Sequence, residues 1–202
     1  HPHEKTGKQV FMGLAGMFIV ESPEEKALNL PSGTYELPLV IQDKRLDTNG
    51  AVMYSPTLEE VMIGYMGETI TVNGVNAPFQ NVTTRTYRLR IVNGSNGRIY
   101  SLALSNGNSF MVIGSDGGLL AAPETVTSLL LAPGERADLL VDFSKIALNS
   151  DVFLQSNSFS GVSSQGSQSF QIMKFTVNKA ETDTFKMPTL LSSTESSMAK
   201  SP

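Results

Sequence analysis

Turn signals recur along this chain about every ten residues, and the apolar segments between them have the length of strands. Leu37 to Asp43 is mostly apolar, Glu68 to Val72 runs into Asn73-Gly74, Thr86 to Val92 alternates and stops at Asn93-Gly94, and Ile99 to Leu104 stops at Asn106-Gly107. Ser109 to Ser115 then meets Asp116-Gly117-Gly118, and Thr125 to Leu131 meets Pro133-Gly134. Arg136 to Phe143, Val152 to Gln155 and Phe170 to Val177 complete the series. Asn-Gly and Asp-Gly pairs accept the positive φ angles of tight hairpin turns, so the series predicts an all-β sandwich or barrel. One stretch, Pro56 to Met62, has helical composition, with Ser55 as N-cap and Pro56 at the first helical position. The Ser-, Gly- and Gln-rich run from Ser156 to Ser169 reads as a long flexible hairpin loop.

Two counts narrow the chemistry. The chain has no cysteine, and its only histidines are His1 and His3. Thiol catalysis, Cys-ligated zinc, a disulfide framework and a Ser-His-Asp triad in the body of the chain are therefore excluded. With 15 Lys plus Arg against 19 Asp plus Glu and no sizeable basic run, nucleic acid is a poor partner, because its affinity rests on cations that neutralise phosphates. Apolar runs such as Met17 to Val20 and Ser128 to Ala132 fall far short of the roughly 20 residues that span a bilayer, so no membrane span is expected. Opening on His-Pro-His, without an initiator Met or a signal peptide, the chain reads as part of something longer. Residues 21 to 34 read as an exposed connector, and residues from about 180 onward, rich in Thr, Ser, Lys and Glu, as a linker or disordered tail.

Several longer motifs are more specific. His1-Pro2-His3-Glu4-Lys5-Thr6-Gly7-Lys8-Gln9-Val10, followed by Met12-Gly13-Leu14-Ala15-Gly16-Met17-Phe18-Ile19-Val20-Glu21, resembles the end of the first cupredoxin domain of a three-domain multicopper oxidase. Four more segments are similar to the second domain of the bacterial copper-efflux and spore-coat laccase group. These are Gly67-Glu68-Thr69-Ile70-Thr71-Val72-Asn73-Gly74, Arg88-Leu89-Arg90-Ile91-Val92-Asn93-Gly94-Ser95-Asn96, Gly114-Ser115-Asp116-Gly117-Gly118-Leu119-Leu120 and Ala132-Pro133-Gly134-Glu135-Arg136-Ala137-Asp138. Their order and spacing fit up to about residue 178.

The resemblance implies a cupredoxin-like Greek-key β-sandwich or barrel with one short helix. Residues 1–30 would close the first cupredoxin domain and lead into a connector, 31–179 would form the copper-free second domain, and 180–202 would lead toward a third. It implies that the parent holds copper between its first and third domains and couples one-electron oxidation of phenols, aromatic amines or Cu(I) to four-electron reduction of dioxygen to water. This chain would carry little or no copper and be inactive alone. Its partners would be the remaining cupredoxin domains, with dioxygen and a small reductant as the parent's substrates. Its location, by resemblance, would be the periplasm or the exterior.

Metal ligation, by the same resemblance, falls on His1 and His3. Either the two are the family's His-x-His pair, with a spacing to Lys5-Thr6-Gly7 two residues shorter than in relatives, or, in the favoured ungapped alignment, His1 is the second ligand of that pair and His3 a following non-ligand. A His-x-His on a strand would turn both imidazoles to one face, and in either alignment the cluster is incomplete. No catalytic residue is assigned. Met53, Met62 and Met66 are expected to pack, since they form no compact soft-metal array. Asp116 is expected to bond backbone amides in a turn, and Glu135 and Arg136 to cap or salt-bridge a domain edge. Gly13 to Val20 is expected to be an exposed apolar edge through which copies or another chain could pair. The competing reading is a copper-free β-sandwich that serves as an interaction or structural module.

Overall fold

Strict alternation along the central strands sets the layers of the molecule, a computed structural model that describes residues 2–161 and 165–193. In β5 (Thr86–Asn93) the side chains of Tyr87, Leu89 and Ile91 point into the main core, as do Leu39 and Ile41 of β1 (Glu36–Lys44) and Ala137, Leu139 and Val141 of β10 (Arg136–Asp142). Successive side chains of a strand point to opposite faces, so Lys44, Arg88, Arg90, Asp138 and Leu140 face the other way. With β2 (Thr69–Val72), β3 (Val75–Asn76), β7 (Phe110–Ser115) and β8 (Gly118–Val126), these strands form a seven-stranded sheet in the order β3-β2-β1-β5-β10-β7-β8. A five-stranded sheet packs on its inner face in the order β4-β12-β11-β6-β9, from β4 (Phe79–Thr83), β6 (Tyr100–Leu104), β9 (Ser128–Leu131), β11 (Ser150–Ser156) and β12 (Phe170–Lys179). Pairing is antiparallel except between β1 and β5 and between β4 and β12. Tyr35, Tyr87, Phe143 and Phe175 run through the core with ring centroids 5.3, 5.4 and 5.1 Å apart in succession. The all-β sandwich expected from the turn spacing is thus the fold.

The differences have physical reasons. Thr125 to Leu131, read as one strand, is split: β8 ends at Val126 on one sheet and β9 begins at Ser128 on the other. The edge strand β8 escapes the pattern because it contains Pro123 and buries neither face fully. The short β3 and polar β4 are missed for the same want of alternation. The anticipated helix is α3 (Leu58–Ile63), and its N-cap is Thr57 instead of Ser55. Thr57 Oγ1 accepts from the Glu60 amide while Glu60 Oε2 accepts from the Thr57 amide, a reciprocal capping box that sets the start two residues later. Two further helices are α1 (Thr6–Phe11), in a stretch to which the sequence reading assigned no element, and α2 (Pro23–Ala27), in the stretch read as an exposed connector. No strand carries His3 or residues 13–20.

Candidate functional site

The outward face of the seven-stranded sheet would be a solvated surface if the chain ended with its strands. Instead, three flanking segments cover it. The N-terminal arm comes first. Phe11, 1% exposed, lies against Tyr54 and Tyr65 at centroid distances of 5.7 and 4.7 Å. The C-terminal carbonyls of α1 need donors, because the last turn of a helix leaves them unpaired. Gln42 Nε2 donates to Val10 O at 3.1 Å and Lys44 Nζ to Phe11 O at 2.5 Å, both from β1. Burial pushes the Lys44 ammonium below its ordinary pKa, against the opposing pull of Asp43. Asn96 Nδ2 donates to Gly7 O at 2.6 Å and ties the start of the helix to the β5–β6 turn.

The connector is held by charge. Arg88, 4% exposed, meets Glu25 Oε1 at 2.7 Å and makes a two-pronged contact to Asp138, with Nε 2.9 Å from Oδ1. Arg90 reaches the same Glu25 oxygen at 2.5 Å and also pairs with Glu36. Desolvation works against the Arg88 cation, but the hydrogen bonds it donates to Asp138 and Glu25 and their negative charge outweigh it, and its pKa is raised. Two arginines and three carboxylates thus bind α2 to β1, β5 and β10. Ser22 caps α2 by accepting from the Glu25 amide, which sets that carboxylate in the first turn.

The C-terminal segment completes the cover. Leu30 from the connector and Leu191 from the tail share a small second core with Ile113 and Leu140 of the outward face, with Phe185 and Met187 packed around it. Leu191 donates its amide to Ala121 O at 2.8 Å. Asp183 Oδ2 accepts from both the amide and the hydroxyl of Thr86 at 2.7 Å, and Glu181 accepts from Tyr35 Oη at 2.6 Å and Arg85 Nη1 at 3.2 Å. Residues 180–193, expected to be a linker or disordered, are therefore packed on the sheet. Their cover of Ile113 and Leu140 is the reason.

At one end of the sandwich, Asp43 and Arg98 form a buried pair at 3.1 Å. Asp43 Oδ2 also accepts from the Gly67 amide at 2.7 Å, and Arg98 Nη2 donates to Gly67 O at 2.7 Å. Gly67 has no room for a side chain, since a Cβ would lie 2.1 Å from the Lys44 carbonyl. This knot pins β1, β2 and the β5–β6 turn.

Asp116 Oδ1 accepts from the Arg136 amide at 2.7 Å and pairs with the Arg136 guanidinium at 3.0 Å, while Glu135 Oε2 caps the Ala132 amide at 2.7 Å. All three do the turn work expected of them. The methionines do not all pack: Met53 is exposed, Met66 is half-buried, and Met62 is exposed because α3 buries none of its residues. His1 lies outside the described residues, and His3 is exposed just ahead of α1. Imidazole suits copper, yet among the described residues no three His, Asp or Glu side chains converge on a possible metal position. The described part of the chain does not by itself fit a trinuclear copper cluster. What sequence reasoning missed is the Arg88–Arg90–Glu25–Glu36–Asp138 clamp. Its signal was present: Arg88 and Arg90 alternate with core residues on a strand whose outward face then needs carboxylates.

A family model described as multicopper oxidase matches residues 42–182. The laccase of Bacillus subtilis is 38% identical over 204 residues, which covers 96% of this chain and 40% of that protein. The cell division protein FtsP of Xenorhabdus nematophila is 46% identical over 144 residues, 70% of this chain and 30% of that protein. Among solved structures, the McoA multicopper oxidase of Aquifex aeolicus superposes with a TM-score of 0.85 at 40% identity, covering 95% of this chain and 43% of that one. The chain spans less than half the length of each of these relatives.

Proposed function

The chain belongs to the multicopper oxidase family, and from that premise we propose that it is the middle portion of a three-domain oxidase. Residues 1–30 are the end of the first cupredoxin domain and its connector, 31–179 the copper-free second domain, and 180–202 the lead toward the third. Copper held by other parts of the parent, to which His1 or the His1/His3 pair would contribute ligands, would supply one-electron oxidation of a phenol, aromatic amine or Cu(I) and four-electron reduction of dioxygen to water. The residues of this chain orient and hold. The observation that carries this reading is the cladding of one sheet face by both flanking segments: Leu30 and Leu191 share one small core, so the incoming and outgoing chains leave the domain in a fixed relation. Relatives named laccase and multicopper oxidase support the oxidase, and the parent, by the same resemblance, works in the periplasm or outside the cell. In the presence of added copper, the 202-residue chain should oxidise neither a phenol nor Cu(I). Sustained turnover by the chain alone would overthrow the assignment.

The relatives named cell division protein FtsP, at higher identity over a shorter span, favour a second reading. In it the sandwich is a copper-free interaction module. A downstream His-Cys-His segment in the gene supports the oxidase, and a gene without one supports the module.

A further inference from the structure

Five Asn-Gly pairs punctuate the chain, at residues 49–50, 73–74, 93–94, 96–97 and 106–107. Each carries a latent self-reaction. The backbone nitrogen of the glycine can attack the Asn side-chain carbonyl carbon, expelling ammonia and closing a five-membered imide, and water then opens that ring on either side to leave aspartate or isoaspartate. Glycine favours the attack because no Cβ obstructs it, and Asn is accordingly a thermolabile residue. The side chain must be free to turn toward the next nitrogen, so the fold decides which pair reacts.

Four of the five are restrained. Asn93 is buried, with Nδ2 donating to Arg98 O and Leu131 O and Oδ1 accepting from the Ser95 amide. Asn73 Oδ1 accepts from the Val40 amide at 2.8 Å and its Nδ2 donates to Pro38 O at 2.9 Å, so this side chain partners β1 beyond the residues paired with β2. Asn96 Nδ2 is committed to Gly7 O, and the glycine after it is wedged so tightly that a Cβ on Gly97 would lie 2.8 Å from the Gly64 Cα. Asn106 is exposed, but its Oδ1 accepts from the Asn108 amide at 3.1 Å, and the preceding Ser105 is bonded twice to the backbone of Phe153. Asn49 differs. It is exposed, and among the described residues its side chain makes no hydrogen bond. Its loop closes on an isolated bridge between Leu46 and Val52 and is braced by Asp47, which accepts from the amides of Asn49, Gly50 and Ala51. Attack by the Gly50 nitrogen requires release of one of these, the 3.0 Å bond to Asp47 O, and an exposed loop opens locally without unfolding the sheets.

We propose that Asn49 is the deamidation site of the folded protein, converting through an imide with Gly50 to aspartate or isoaspartate while the other four pairs are held back by their bonds and packing. The product places a new negative charge beside Asp47 on a chain of net charge −4, and as isoaspartate it lengthens the loop backbone by one carbon. The proposal is independent of the oxidase reading.

The test is incubation of the full gene product in mildly alkaline buffer, folded and in concentrated urea, followed by peptide mapping that separates aspartate from isoaspartate. In the folded protein Asn49 should convert at least about tenfold faster than Asn73, Asn93 and Asn96, and ahead of Asn106, because only its loop opens at low cost. In urea the five should convert at similar rates. Asn49→Gln should remove the first acidic variant seen by isoelectric focusing and leave the melting temperature unaltered. Faster conversion at any other pair, five equal rates in the folded protein, or an Asn49 that persists while the unfolded sample reacts would each overturn the assignment.

Discussion

Single residues decide whether the flanking segments stay attached. Phe11 is the one fully buried side chain of α1, so Phe11→Ala removes most of what docks the N-terminal arm. Deleting a buried aromatic costs about 3 kcal/mol or more, and the expected result is faster hydrogen exchange across residues 6–14 with little change in the sandwich strands. Uniform loss of protection through β5 and β10 would mean that the arm is part of the main core instead. At Gly67 the limit is space: Gly67→Ala puts a methyl into the Lys44 backbone and should destabilise the fold by about 3 kcal/mol, read by urea unfolding. Unchanged stability in that variant would show that the knot yields freely. Some of this was legible in the sequence and some was not. Asp116, Glu135 and Arg136 were identified as turn residues because turn chemistry is local. Gly67 and Phe11 depend on neighbours more than twenty residues away, on β1 and around Tyr65, which no local pattern reveals.

Elements respond as units where charge joins them. Arg88 pairs with Glu25 and Asp138 directly, so Arg88→Met leaves the half-buried Asp138 without its partner while Glu25 keeps only Arg90. Breaking such a group typically costs about 3–5 kcal/mol, which for a chain of this size lowers the melting temperature by roughly 10 °C. A fall of less than about 2 °C would show the clamp to be ornamental. The C-terminal segment should respond to acid. Glu181 is held below the usual carboxylate range by the Tyr35 hydroxyl and Arg85. Burial pushes Asp183 up, but the bonds from Thr86 and the Phe185 amide outweigh it and its pKa is lowered too. Carboxylates depressed in the folded state stabilise it above their unfolded pKa near about 4, and that contribution is lost as the pH falls through the lower folded values. Exchange of the Thr86 amide should therefore stay slow from neutrality to about pH 5 and quicken below about pH 4; an amide equally protected at about pH 2 would contradict the assignment. Strands with one core face were readable because their alternation is a two-residue signal. Edge strands β3, β4 and β8 were not, since their pairing is settled by neighbours and not by their own pattern, and α1, as short as α3, was hidden because no side chain caps its start.

On the scale of the whole molecule, the domain is a sandwich whose outward sheet face is finished by the chain that enters and the chain that leaves. The family could be identified from the sequence because its motifs run in recognisable order along β2, β5 and β7 and the turns beside them. Their cladding by residues 21–30 and 180–193 could not, because Leu30 and Leu191 meet across more than 150 residues of chain. No helix among the described residues is long and apolar enough to cross a membrane. The most direct test of the account is elemental copper analysis, per polypeptide of known intact mass, on the full gene product beside the 202-residue chain. The account predicts several coppers in the full product and far less than one in the chain. A full product that binds no copper would contradict it and leave a copper-free module in its place.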